Sequence, residues 1–234
     1  MTQPPGWRLR QFEAIESTSD LCVTLAQAGE PAGLAVLAAR QTHGRGSRGR
    51  SWTTLPGNLA LSALLRPGSG NAGHWALLAA VALADALGPC VRLKWPNDVM
   101  LDGRKLGGIL VDAAWVPGGG MAWLVAGFGA NLRTAPNLPG VSALPGGLDA
   151  VQAAHRVLER LGHWSVLLEQ DGFGPVRQAW LERGPALGDL LRLSFEETQV
   201  AGTFAGLGDD GALLLQSGGK VHAFATGRVL QVGE

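Results

Sequence analysis

The sequence predicts an α+β domain with a small β-barrel appended at its C-terminal end, and three observations carry the prediction. Strand and helix signals are interspersed from Trp7 to Arg183. After the Gly184-Pro185 break the pattern changes to short alternating strands between Gly-rich turns, about fifty residues of them. The 234 residues, 46% of them hydrophobic, can bury a full core and suit one large domain carrying a small one. The boundary is expected near residue 185, giving a catalytic domain over 1–185 and a barrel over 186–234.

Trp7 to Ile15 reads as the first strand. Glu16-Ser17-Thr18-Ser19-Asp20 offers several N-caps for a helix over roughly 20–28, closed by Gly29. Leu34 to Ala39 is a short apolar strand, and Pro56-Gly57 marks a turn before the strand Asn58 to Leu65. Ala72 to Leu87 is a buried helix, since its apolar run holds Asp85 and is too short to span a bilayer. Val91 to Trp95 starts a strand that Pro96 cuts short. Asp102-Gly103 signals a tight hairpin between Val99–Leu101 and Leu106–Val111. Gly118-Gly119-Gly120 turns the chain into strand Met121 to Gly129, and helices follow over roughly 149–170 and 173–183. The barrel strands are placed at Leu191–Phe195, Thr198–Ala205, Ala212–Gln216 and Val221–Val232.

Composition removes several function classes. Formal net charge is zero, so no global field favours nucleic acid or an anionic membrane. Cys22 and Cys90 are the only cysteines, which excludes a disulfide framework and a Cys-rich zinc module. The five histidines are scattered without metal-ligand spacing, so no metal site is expected. The N-terminal segment has no apolar core of signal-peptide length, and a cytoplasmic protein is expected.

The segment Gln41 to Trp52 calls for a chemical explanation, with three arginines and no acid over twelve residues. Its glycines let the backbone approach a ligand, and N–H groups beside guanidinium charge suit an anion. Gly44-x-Gly46-x-x-Gly49 matches the dinucleotide fingerprint, and Gly44-x4-Gly49-Arg50-Ser51 is close to a P-loop. Both motifs need a helix directly after the glycines to hold the phosphate. Trp52-Thr53-Thr54-Leu55-Pro56-Gly57 does not open one, so both are rejected. A dedicated phosphate loop, an RNA-binding Arg/Gly segment and a solvated surface loop remain, with the neutral charge against RNA.

A second constellation is Lys94-Trp95-Pro96-Asn97-Asp98, followed by Lys105-Leu106-Gly107-Gly108-Ile109-Leu110. Glycines inside a strand are costly unless a backbone or ligand must come close, and lysines beside apolar strands call for an anion. These two strings and Gln41-Thr42-x-Gly44-Arg45-Gly46-x-Arg48-Gly49-Arg50-x-Trp52 resemble the biotin–protein ligases. So do Glu16-Ser17-Thr18 and Gly127-Phe128-Gly129-Ala130-Asn131, five blocks in the family's order across residues 16–131.

The resemblance implies a catalytic domain of the class II synthetase/biotin ligase kind, with a mixed β-sheet flanked by helices, and an SH3-like C-terminal barrel. It implies ATP, Mg2+ and biotin as reactants, biotinyl-AMP as intermediate, and a lysine of a biotin carboxyl carrier protein, as in acetyl-CoA carboxylase, as acceptor. Arg45, Arg48, Lys94 and Lys105 are then placed to neutralise charge during adenylation, with Lys105 the main electrostatic catalyst. Ser17, Thr18 and Gln41 would bond the biotin rings, with Ser19 in the same segment. Gly107 and Gly108 would let backbone reach the vitamin, and Trp52 would wall the site. Asn97 and Asn131 would contact the adenylate, and the binding set extends to Gly44, Gly46, Gly127 and Gly129. Asp98 would orient the acceptor lysine, assist its deprotonation or pair with Lys94, the first being the working expectation.

Two positions depart from the family pattern. Ser47 stands where many relatives have arginine, and Ser19 where asparagine often follows Ser-Thr. Fifteen residues before the first block cannot hold the helix-turn-helix that makes some relatives repressors, so operator binding is not expected. A homodimer is compatible with the resemblance. A lipoate or octanoate ligase and a non-catalytic ligand-binding module are the rival readings.

Overall fold

The computed structural model describes residues 6–68, 70–195 and 198–230. The elements are β1 (Arg8–Ile15), α1 (Thr18–Gln27), β2 (Leu34–Gln41), β3 (Leu59–Leu65), α2 (Ala72–Leu87), β4 (Arg92–Lys94), β5 (Asp98–Leu101), β6 (Arg104–Trp115) and β7 (Met121–Ala130). Then come α3 (Ala150–Asp171), α4 (Gly174–Leu181), β8 (Leu190–Phe195), β9 (Thr198–Leu207), β10 (Leu213–Ser217), β11 (Lys220–Phe224) and β12 (Arg228–Val229). A seven-stranded sheet runs β1-β2-β3-β7-β6-β5-β4. It is mixed, because β1 and β2 pair parallel while the other neighbours are antiparallel. A five-stranded antiparallel sheet, β11-β10-β9-β8-β12, follows it.

The central strand of the large sheet is β7, and its neighbour β3, whose seven residues are all buried, pairs with it along its whole length. Helix α2 is apolar nearly all round because it is covered nearly all round. It packs on the sheet, on α3 and α4, and under the turn between β9 and β10, where Gly211 lies against Leu77. Asp85, the acid inside this apolar helix, accepts from Trp164 Nε1 at 2.8 Å and meets Arg183 at 2.7 Å. The half-buried charge is thus both paired and hydrogen-bonded. Both sheets share one core, with Leu193, Phe204, Leu213 and Leu215 joining the α2 cluster.

Three of the differences from the sequence expectation have a clear local cause. Helix α1 starts at Thr18, two residues early, because Ser17 is the N-cap and its Oγ accepts from Asp20 N at 3.2 Å. Strand β6 runs on to Trp115, since β7 supplies a partner along its length. The single strand expected over 221–232 is two: β11 pairs with β10, the chain breaks before Gly227 (φ 148), and β12 crosses to β8. Gln231 and Val232 lie outside the described residues. Both cysteines are free; Cys90 is exposed, and burial pushes the Cys22 thiol up to about 12. Among the described residues no helix is long and apolar enough to cross a membrane.

Candidate active site

The site begins at the parallel β1–β2 pair, whose register sets Ile15 opposite Gln41 and brings the start of α1 beside the end of β2. Gln41 Oε1 accepts from Thr18 N at 2.8 Å and Thr18 Oγ1 at 3.1 Å, while its Nε2 donates to Thr54 Oγ1 at 3.1 Å. Ser62, from β3, donates to Thr18 Oγ1 at 2.8 Å and lies 3.1 Å from Ser19 Oγ. Thr18, Ser19, Thr54 and Ser62 are all buried. A polar network this closed is stiff, so it offers a ligand a preset floor.

The opposite wall comes from β5, β6 and β7. Asp102 (φ 49) and Gly103 (φ 71) make the tight turn that returns the chain with Lys105 facing Asp98. Lys105 Nζ donates to the Asp98 carboxylate, and the side chains are 27% and 16% exposed. Asn97 Nδ2 donates to Ile109 O at 2.7 Å, and Ile109 N returns a bond to Asn97 O at 2.9 Å. At the end of β7, Asn131 Nδ2 donates to Ser142 O at 3.1 Å and its Oδ1 accepts from Asn58 Nδ2 at 3.2 Å. With Lys105 N donating to Gly140 O at 2.7 Å, these bonds draw the segment 136–141 over the site.

The Gly/Arg segment closes the remaining side as a folded flap. Trp52 N donates to Gly44 O and Gly46 N to Arg50 O, both at 2.7 Å. A Cβ on Gly44 would stand 2.4 Å from Trp52 O, which is why glycine is required there. Only one 3-10 turn, Ser47–Gly49, follows the glycines, in keeping with the rejection of a P-loop. The three arginines have different partners. Arg45 is held by Asp20 at 2.8 Å and bidentately by Asp112 at 3.1 and 3.2 Å. Burial alone would lower its pKa, but Asp112 and then Asp20 outweigh it and the net shift is upward. Arg48 (φ 60) donates to Gly227 O, and Arg50 donates to Ser47 O and Oγ at 3.2 and 3.0 Å. Among the described residues only neutral acceptors hold Arg48 and Arg50, and their charge stays available.

Two adjoining cavities result. One, of about 190 Å³, lies between the polar floor, Trp52, Lys105 and the 136–141 segment. The other, of about 350 Å³, lies between the flap, the start of α2, the Trp95–Asp98 turn and Arg228. Ser47, Arg50, Asn97, Ile109 and Leu110 border both.

Of the residues singled out from the sequence, Thr18, Ser19, Gln41, Arg45, Gly46, Trp52, Asn97, Lys105, Gly108, Gly127, Gly129 and Asn131 border the first cavity. Arg48 and Asp98 border the second. Ser17, Gly44, Lys94 and Gly107 border neither. Ser17 caps α1, and Lys94 stands opposite Asp98 across the β4–β5 pair. Gly107 meets backbone instead of ligand space, since a Cβ there would lie 2.5 Å from Gly129 O. Asp98 engages Lys105, a partner absent from the three roles considered for it. The sequence reading missed Asp20, Asp112, Thr54, Asn58, Ser62 and the 136–141 segment. Ser62 carried a usable signal, being the one hydroxyl inside the apolar run Leu59–Leu65, where a buried polar group needs a partner. The acids carried none, because their partner lies 25 and 67 positions away.

A stiff polar floor, a half-buried lysine and a basic flap define a protein that seats a small molecule with a polar head and handles anionic charge beside it. The Biotin/lipoate A/B protein ligase family model matches residues 11–119. A biotin–[acetyl-CoA-carboxylase] ligase of Paracoccus denitrificans is 39% identical over 202 residues, 77% of this chain and 83% of that protein. One of Mycobacterium tuberculosis is 29% identical over 97% of this chain and 90% of its own. The solved biotin protein ligase of Aquifex aeolicus in complex with biotin and ATP has a TM-score of 0.81 at 24% identity, covering 95% of this chain and 97% of that one. The chain belongs to the biotin/lipoate protein ligase family and has its mixed-sheet α+β fold.

Proposed function

We propose that the chain is an ATP-dependent biotin–protein ligase that makes biotinyl-AMP and transfers biotin to a carrier-protein lysine. The names of its relatives support this reading, and the Aquifex neighbour binds biotin and ATP within the same fold. The observation that carries it is Lys105 in the wall of a polar-floored cavity, ion-paired to Asp98 of an adjoining cavity walled by Arg48, Arg50 and Arg228. Trp52 Nε1 is buried at the first cavity with no hydrogen-bond partner among the described residues, an unmet donor that costs about 1–3 kcal/mol until an acceptor arrives.

In the first half-reaction a biotin carboxylate oxygen attacks the α-phosphorus of ATP, the bond to the β-phosphate oxygen breaks, and pyrophosphate leaves. Lys105 lies where negative charge concentrates, and Arg48 and Arg50 take the leaving phosphates. In the second, the acceptor amine attacks the biotinyl carbonyl, the bond to AMP breaks, and the amine loses a proton. No enzyme nucleophile is needed, and positioning supplies the rest. Thr18, Ser19 and Gln41 seat the biotin rings, and Asn97 faces the adenylate from the shared wall. Asn131 serves by fixing the 136–141 segment. Mg2+ would enter bound to the phosphates of the nucleotide, as it usually does at ATP sites. We read residues 1–185 as the catalytic domain and the five-stranded sheet in 186–234 as the family's SH3-like barrel. The acceptor is the biotin carboxyl carrier domain of a carboxylase, and the two free thiols suit the cytoplasm.

Pyrophosphate release by the purified chain with ATP and Mg2+ and no acceptor tests the reading. Release with biotin, accompanied by biotinyl-AMP in the mass spectrum, is expected. Release with lipoate alone would shift the substrate, and no release with either acid would leave a binding module. Ser47 sharpens the expectation, since it stands between the two cavities where an arginine would add a phosphate-facing charge. Ser47→Arg is expected to slow dissociation of biotinyl-AMP by about tenfold, the worth of one charge-assisted hydrogen bond. Equal release rates from the two proteins would refute it.

A further inference from the structure

The turn between β9 and β10 offers three successive carbonyls, and a side chain from elsewhere in the fold meets each. His74 Nε2 donates to Asp209 O at 2.8 Å, Asn71 Nδ2 to Asp210 O at 3.3 Å, and Trp95 Nε1 to Gly211 O at 3.2 Å. A carbonyl can only accept, so His74 carries a proton on Nε2, and its ring stacks on Phe173 at 4.0 Å. The turn also holds its own shape, through Gly211 N to Gly208 O and Ala212 N to Asp210 Oδ1, both at 3.0 Å. Asn71 and His74 belong to the start of α2 and seat the turn on that helix. Trp95 has another origin: it opens the hairpin turn 95–97 between β4 and β5.

That hairpin turn carries Asn97 and, at its exit, Asp98. On one side Asn97 is bonded twice to Ile109 of β6. On the other stands the edge strand β4, only three residues long, so its pairing gives the turn little hold. The buried bond from Trp95 to Gly211 supplies the missing restraint, and Trp95 is 3% exposed. We propose that Trp95 is a positioning residue for the ligase reaction: its indole N–H, anchored on Gly211 O, sets where Asn97 and Asp98 stand in the second cavity. The proposal rests on the ligase reading for its kinetic consequence. The face of the indole borders that cavity, but its N–H is engaged by Gly211, which borders neither cavity. The donor therefore acts through the turn. The seat assigned to biotin, on Thr18, Ser19 and Gln41, shares no residue with this tie.

Trp95→Phe keeps an aromatic ring and removes the donor. Gly211→Ala disturbs the tie from its far end, since at φ 85 a Cβ would stand 2.9 Å from Leu77 Cδ1. The Ile109 amide, bonded to Asn97 O, reports the turn without any ligand. Its hydrogen exchange, followed by NMR, should quicken about fivefold in both variants relative to the amides of β3. Unchanged protection of Ile109, or a rise shared equally by β3, would overturn the tie. The second readout is biotin-dependent pyrophosphate release. There kcat/KM for ATP should fall about tenfold, chiefly through KM, as for a displacement well under 1 Å. The Kd for biotin, measured by calorimetry without nucleotide, should stay at the wild-type value. A merely structural fault would lower the active fraction and leave KM unchanged. A native KM for ATP in Gly211→Ala, beside a raised one in Trp95→Phe, would reduce the indole to a cavity wall and sink the proposal. The double variant should be no worse than the worse single, as expected of one tie, and additive losses would refute it. A wild type that makes no adenylate would defeat the ligase reading and leave the Ile109 exchange to decide the tie.

Discussion

Lys105→Ala is expected to lower the rate of biotin-dependent pyrophosphate release by about 10²–10³-fold, the usual cost of one transition-state electrostatic donor. The fold should survive, because the side chain is partly exposed and sits beside a hairpin turn. Part of the loss comes from Asp98. With Lys105 gone, that carboxylate faces the second cavity with less of its charge compensated and repels the incoming polyphosphate. The two causes separate in the variant Lys105→Ala/Asp98→Asn. There the KM for ATP should return toward the wild-type value while kcat stays low, because neutralising the carboxylate restores binding without restoring catalysis. Rapid-quench measurement of biotinyl-AMP formation gives both quantities. A Lys105→Ala enzyme that forms adenylate at the native rate would remove Lys105 from the mechanism.

Asp98 itself marks how far the sequence could be read. The turn at Asp102-Gly103 was legible because the residue types demand it, and so was the proximity of Lys105 to the end of β5. Which carboxylate meets which lysine was not, since Lys94 and Lys105 both lie close to Asp98 in the sheet. The helix over Ala72–Leu87 was readable to the residue, because a nearly all-apolar run of that length fits a helix covered on most sides. Its lone acid was not explained until Arg183 and Trp164 were seen on it from another part of the chain. The same holds for the flap: its glycines and arginines announced contact with an anion, but the split between one neutralised arginine and two available ones depends on acids from α1 and β6. The final strand failed for a related reason. Alternation over 221–232 fits one strand or two, and the choice is made by β8, which offers Leu193 and Ser194 as partners.

The adjacent glycines of β6 should give opposite kinds of failure. Gly107 and Gly108 look equivalent in sequence, but alternate faces of a strand put them in different surroundings. A methyl on Gly107 would come within 2.5 Å of Gly129 O and 3.3 Å of Ala130 Cα, both backbone atoms of the paired strand β7. Neither can move without breaking the β6–β7 ladder at the centre of the sheet. Gly107→Ala is therefore expected to lose about 3 kcal/mol of stability, at the upper end for overpacking, and to lower the urea midpoint accordingly. A methyl on Gly108 meets only ordinary contacts, 3.5 Å from Asn97 O and from Lys105 Nζ. Gly108→Ala should thus fold normally. It places its methyl in the first cavity beside the lysine, and displacing a reacting group by even 1 Å costs about 10²-fold in rate. One variant should fail in denaturation and the other in pyrophosphate release. A stable Gly107→Ala would mean that β7 yields more readily than its central position implies. A fully active Gly108→Ala would mean that the substrate's path does not run along this face of β6, and the seat assigned to biotin would have to move toward the 136–141 segment.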